Sequence, residues 1–232
     1  MSTDTSLVQY GSVDMAAAEE FAEQAKRSRF SNSMIKFPEG KTVVRVMPPR
    51  LGQKVPWIAV SEHWLKLPTG DIHFSCPLAA NGGRCPACEK ERQLLGSGAP
   101  ADTAAAKKVA AKLRYYANAI ERSKENEGPK LMPFGTMIFN KLDKLLRDPD
   151  VGGDFTHPTQ GFDLIVMRTG TGEQDTKYDV FPHRDRPSPL NADAEMMGQW
   201  LKSMSDLSIK QRVLTYDEIV DMIKNGRRQQ NG

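Results

Sequence analysis

Cysteine is scarce here: three residues in 232. An odd, small number excludes pairing of all the cysteines within one chain and favours metal binding or free thiols over a disulfide framework. No apolar run approaches the roughly 20 residues that span a bilayer, which excludes a membrane-spanning helix. The start, Met1-Ser2-Thr3-Asp4, lacks a basic stretch followed by an apolar one. No secretory leader is therefore expected, and an intracellular location is. Charge of one sign is also missing, because 32 Lys+Arg face 29 Asp+Glu for a net +3 and a pI near 8.7. Such a balance neither requires nor forbids a polyanionic partner, since cations can still cluster on one face. Internal repeats are absent. What remains is ordinary for a soluble globular chain, with 39% apolar and 26% charged residues. The length allows one large core, or a core with a subdomain.

Three regions are expected: an N-terminal helix and basic arm (1–36), a core (37–190), and C-terminal helices with a tail (191–232). Met15 to Lys26 is rich in Ala and Glu and reads as a helix. It runs into the basic tract Lys26-Arg27-Ser28-Arg29, whose cations suit a helix C-terminus as well as an interaction role. Strands are expected over Thr42–Met47, Trp57–Leu67, Asp71–Cys76, Lys112–Arg122, Lys130–Gly135, Gly161–Arg168 and Lys177–Phe181. Helices are expected over Cys85–Leu95, Ala101–Ala111 and Met137–Leu146. From Asn191 onward the pattern is helical, with Met196, Met197, Trp200 and Leu201 on one face and Ile219, Met222 and Ile223 on another. Trp57, Phe162 and Trp200 are expected in the core. Several strands around a mid-chain helix predict a mainly β protein with helices, built on a small closed barrel.

The strongest chemical signal is His63 with Cys76, Cys85 and Cys88. Cys85-Pro86-Ala87-Cys88 has the two-residue spacer that lets two thiolates reach one tetrahedral ion. Asn81-Gly82-Gly83 can fold Cys76 back toward them. His73 competes with His63 for the fourth position. Lying three residues before Cys76 on an extended strand, it points to the opposite face, which favours His63. A redox dithiol wants a thioredoxin-like context that is not there. A deaminase-type catalytic zinc wants His-x-Glu and Pro-Cys-x-x-Cys. Here Leu65 and Ser75 stand where the Glu belongs, and Arg84 replaces the Pro. One structural zinc is the expectation, in a subdomain over about residues 60–98.

Lys112-Leu113-Arg114-Tyr115-Tyr116 interleaves cations with aromatics, as proteins that grip unpaired strands do. Alternation puts Lys112, Arg114 and Tyr116 on one face, with Leu113 toward the core. Further candidate contacts are Arg45, Trp64, Lys66, Tyr115, Phe134, Lys141, Tyr178, Phe181 and Arg184. Two other functions stay open at this point: a zinc-stapled interaction adaptor with no affinity for nucleic acid, and a metal-dependent nuclease. The second wants a carboxylate cluster, and Asp143, Asp148, Asp150 and Asp154 sit among cations in a polar stretch.

With these motifs the chain resembles the zinc-containing, helix-destabilising single-stranded DNA-binding proteins of T-even bacteriophages and related phages. The similar segments are Thr42–Pro48, His63 through Cys88, Arg114-Tyr115-Tyr116-Ala117-Asn118, and Glu125–Lys130 followed by Phe134-Gly135. The resemblance implies an OB-fold core with a zinc subdomain and a cationic cleft. It implies no catalysis, but sequence-tolerant coating of single strands in replication, recombination and repair, in the cytoplasm of an infected bacterium. It also implies neighbouring protomers on the strand, with Lys26, Arg27 and Arg29 similar in character to a protomer-contact motif, and replication and recombination proteins as partners. That motif lies nearer the N-terminus in the family. The family's acidic tail has no counterpart in Arg227-Arg228-Gln229-Gln230-Asn231-Gly232.

Overall fold

Seven antiparallel strands form one sheet: β1 Gly40–Val46, β2 Trp57–Leu65, β3 Ile72–Ser75, β4 Lys112–Glu121, β5 Lys130–Phe134, β6 Leu164–Thr169 and β7 Lys177–Pro182. The structure, a computed structural model, describes residues 14–16, 34–148, 150, 153–172 and 175–226. The tract Lys26, Arg27 and Arg29, the rest of its helix beyond Ala16, and the tail from Arg227 lie outside the described residues.

β4 organises the sheet. Ala117 faces Trp57 of β2 and Met132 of β5, while Ala119 faces Val46 of β1 and Lys130 of β5. A strand has only two edges, so β2 and β1 lie end to end along one edge of β4 and β5 takes the other. The order continues from β1 to β6 and β7, and from β2 to β3. The closed barrel expected from the sequence is not formed by these pairings, which run open from β3 to β7 among the described residues. At the outer edge of β3, Ser75 meets Val213 in an isolated parallel bridge instead of a further strand.

Apart from Thr136–Arg147, the α-helices from Pro77 onward start where prolines or capping side chains set them. α1 Pro77–Asn81, α2 Pro86–Gly96 and α3 Pro100–Val109 each place proline in the first turn, where its missing N–H costs nothing. α4 is Thr136–Arg147. α5 Ala194–Ser203 is capped by Asp193, and α6 Tyr216–Asn225 by a Thr215–Glu218 capping box. A 3-10 turn, Leu207–Gln211, lies between these last two.

The inner face of the sheet carries the main core: Val44, Val46, Trp57, Tyr115, Ala117, Phe134, Leu164 and Val166, with Ile138 and Leu142 of α4. A second cluster joins Leu65, Ile72, Phe74 and the three cysteines to Ile219 of α6. Trp200 packs with Met47, Ile120 and Leu190. Trp57, Phe162 and Trp200 are buried, as expected.

β6 begins later than the alternation suggests, because Phe162 and Asp163 belong to a loop pinned from two sides. Phe162 N–H donates to Phe155 O, and Asp163 N–H to Ser188 Oγ. Beneath this loop the Arg45 guanidinium donates to Phe155 O (2.5 Å) and His157 O (2.6 Å). A Cβ on Gly161 would stand 2.4 Å from Phe155 O, 2.6 Å from His157 O and 2.7 Å from Arg45 Nη1. Backbone oxygens cannot step aside as a flexible side chain can. Gly161→Ala is therefore expected to destabilise the fold by about 1–3 kcal/mol, the usual cost of overpacking. A urea midpoint equal to that of the native chain would contradict this.

Candidate metal centre and nucleic-acid interface

His63 stands opposite Phe74 in the β2–β3 pairing, so both side chains take the inner face. Cys76 follows two residues after Phe74, and its N–H donates to Ser61 O, which holds it to the same side. Cys85 occupies the N-cap position of α2, without a side-chain cap, and Cys88 sits in its first turn. All four side chains are buried, and their ligand atoms lie within 4.8 Å of one another. His63 Nε2 is 3.4 Å from both Cys85 Sγ and Cys88 Sγ, and Cys76 Sγ is 3.5 Å from Cys88 Sγ. A tetrahedral ion at usual zinc–sulfur and zinc–nitrogen lengths gives ligand edges of roughly 3.5–3.8 Å. The arrangement fits one such ion.

The surroundings prepare these ligands. His63 Nδ1 lies 2.7 Å from Val109 O, which fixes Nδ1 as the donor and turns the Nε2 lone pair toward the thiols. Burial pushes the imidazole pKa down, so the ring is neutral near pH 7. Burial also pushes the Cys85 and Cys88 thiols up. A bound cation reverses that and leaves thiolates. Three thiolates against one divalent ion leave one net negative charge, beside the positive end of α2. α6 closes over the module: Tyr216 Oη donates to Glu89 (2.8 Å), and the Arg84 guanidinium lies over the Tyr216 ring.

His73 is not part of this set. It stands opposite Trp64 on the outer face, with the two rings stacked 4.7 Å apart and 15° from parallel. The Arg114 guanidinium approaches Trp64 from the β4 side, 5.8 Å from its centroid. Trp64 is 45% exposed. Lys66 and Lys112 are exposed on the same side. Glu62 is buried among them, accepting from Tyr116 Oη and from Trp64 Nε1–H.

Four sequence-expected contacts are buried instead. Arg45 is fully buried under the 155–162 loop, and burial lowers its pKa to about 10. Tyr115 stacks on Phe139 at 4.0 Å and on Phe134 at 5.7 Å, which places both Tyr115 and Phe134 in the main core. Tyr116 does take the outer face but is only 3% exposed. It packs with Leu207, and Lys210 Nζ lies 5.3 Å from its ring centroid. Burial, with Glu62 alongside, pushes its phenol up, so it remains a donor. Leu113, expected toward the core, is 44% exposed at the open end of β4.

The remaining candidates lie elsewhere. Lys141 pairs with Asp179 of β7, Tyr178 packs edge-on against Phe37, and Phe181 and Arg184 are exposed at or just beyond β7. β7 is the far edge of the sheet from β3, so they do not join Trp64. A cleft of about 600 Å³ is lined by Lys41, Arg122, Asp163 and His183. Its Arg122 is already held by Asp163 and Glu125. Glu62 and Lys210 escaped the sequence reading. An acid in the same-face row as Ile58 and Val60 is the signal that marks Glu62.

Fold and site define a β protein with a buried His–Cys cluster that could hold one metal ion, and with an outer face that carries an exposed aromatic ring among cations. A family model described as gp32 DNA-binding-protein-like matches residues 38–219, and the chain belongs to that family. No curated protein matches the chain. No helix among the described residues is long and apolar enough to cross a membrane.

Elemental analysis of freshly purified protein is expected to find about one divalent transition ion per chain. Cys88→Ser is expected to lose the ion and, with it, folding stability. Metal-free native protein would contradict the assignment.

Proposed function

We propose that the chain binds single-stranded DNA without sequence preference, at the outer face around Trp64, and that its resident ion is one structural zinc. The observation that carries this reading is Trp64, 45% exposed, with His73 stacked on its ring and the Arg114 guanidinium 5.8 Å from its centroid, near the exposed Lys66 and Lys112. Every base offers a π-face, and every nucleotide a phosphate. A ring with cations beside it therefore grips any sequence. Membership of a DNA-binding-protein-like family supports the same reading.

The sheet, in this reading, is an OB-type core whose β2–β3 face meets the strand, as that fold uses it. The metal module over about 60–98 then serves as a staple, and the segment from 191 as a cover. Zinc, when bound, supplies a fixed tetrahedral tie and no open position for chemistry. The protein is non-catalytic. It coats strands in phage-type replication, recombination and repair, within the cytoplasm of an infected bacterium. Neighbouring protomers, through Lys26, Arg27 and Arg29, and replication and recombination proteins are its proposed partners. Lys141, Tyr178, Phe181 and Arg184 belong to a second, more distant part of the strand's path.

A fluorescence titration with oligo-dT tests the reading directly. Trp57 and Trp200 are buried, so Trp64 reports on bases at the outer face. Trp64→Ala, which removes that reporter and is followed by the anisotropy of a dye-labelled oligo-dT, is expected to weaken binding by about 1–3 kcal/mol for any sequence. Arg114→Ala is expected to flatten the salt dependence by about 0.7 in log–log slope, the share of one phosphate on a single strand. Full metal content with no affinity for oligo-dT would instead favour a zinc-stapled interaction adaptor of a replication complex.

A further inference from the structure

We infer that Glu62 is a positioning residue for strand binding, which fixes the Trp64 ring before the strand arrives. This rests on the reading that Trp64 meets the strand. Glu62 lies between two aromatic side chains on the outer face, one exposed and one buried. Its Oε2 accepts the Trp64 indole N–H at 3.3 Å, and its two oxygens lie 2.8 and 2.9 Å from Tyr116 Oη. Tyr116 is in turn packed against Val60, Leu131 and Leu207. The carboxylate thus links a mobile type of side chain to an immovable one.

The physical consequence is a smaller entropy loss on binding. An exposed indole on a strand can rotate about two side-chain bonds. Freezing that motion on binding would cost affinity. Here His73 restrains the ring by stacking, Arg114 lies over it, and Glu62 fixes its rotation in the plane. Only the last of these contacts is directional enough to select one edge of the ring. A carboxylate on a phosphate-binding face repels the strand, so charge alone gives it no part in binding. Its place is explained by what it holds.

The test is a double-mutant cycle on the metal-loaded protein. Binding to oligo-dT is measured at high salt, where the lost negative charge is screened. Glu62→Ala is expected to weaken binding about three- to tenfold in the native background, the equivalent of about one hydrogen bond. In a Trp64→Phe background, which has no indole N–H, the same change is expected to alter affinity by less than about twofold. Unchanged affinity for Glu62→Ala, or the same loss in both backgrounds, overturns the inference.

A second measurement needs no variant. The Trp64 indole proton, followed by 15N–1H spectra of the native DNA-free protein, is expected to exchange with water more slowly than that of free tryptophan. Exchange at the free rate overturns the inference even if Glu62→Ala fails to fold. Absence of any affinity for oligo-dT removes the single-strand reading, and this role with it. A slow indole proton would then leave the hydrogen bond itself standing.

Discussion

The register between β2 and β3 is the constraint on which the rest depends. Pairing His63 with Phe74 and Trp64 with His73 sends one pair inward to the cysteines and the other outward to solvent. Side chains alternate with a period of two, so a slip of one residue would exchange the metal ligand and the exposed ring. The cysteine cluster guards against that slip. It ties β2, the end of β3 and the start of α2 to one point, with His63 Nε2 3.4 Å from both Cys85 Sγ and Cys88 Sγ. An ion held by these four ligands would have no open position for chemistry and would hold the aromatic shelf in place from behind.

The C-terminal segment decides how much of the outer face is left open. Asn118 exchanges two hydrogen bonds with Ser205, Ser75 Oγ donates to Lys210 O, and Leu207 fills the space over Val60 and Tyr116. A loop held by Arg45 covers a second part of the sheet. Open ground remains at the β2–β3 end, where Trp64, His73, Arg114, Lys66 and Lys112 gather. Most of these buried polar groups are paired, as burial demands, while Arg45 Nε is left without a partner. They give the cover a fixed position.

The metal set was legible because three rare residues and a histidine fall at ligand spacing, and strand parity alone separates His63 from His73. Strands were legible wherever β-branched residues alternate. What stayed hidden was decided by distant contacts. Alternation says that Tyr116 and Arg114 share a face, but not that Leu207 and Lys210 come back from about ninety residues later to cover one of them. Arg45 reads as a surface cation until the 155–162 carbonyls arrive over it. Tyr115 and Phe134 read as platforms because the stacking they offer a base is the stacking they offer each other and Phe139. Barrel closure is likewise set by edges that no local pattern describes.

Resonance mapping tests the central claim most directly. A strand bound at the outer face of 15N-labelled, metal-loaded protein titrated with a short oligo-dT is expected to perturb amides and side chains around Trp64, Lys66, His73, Lys112 and Arg114, and to leave the resonances of the cysteine cluster on the opposite face unchanged. Perturbations confined to the β7 end around Phe181, with Trp64 unmoved, would contradict it.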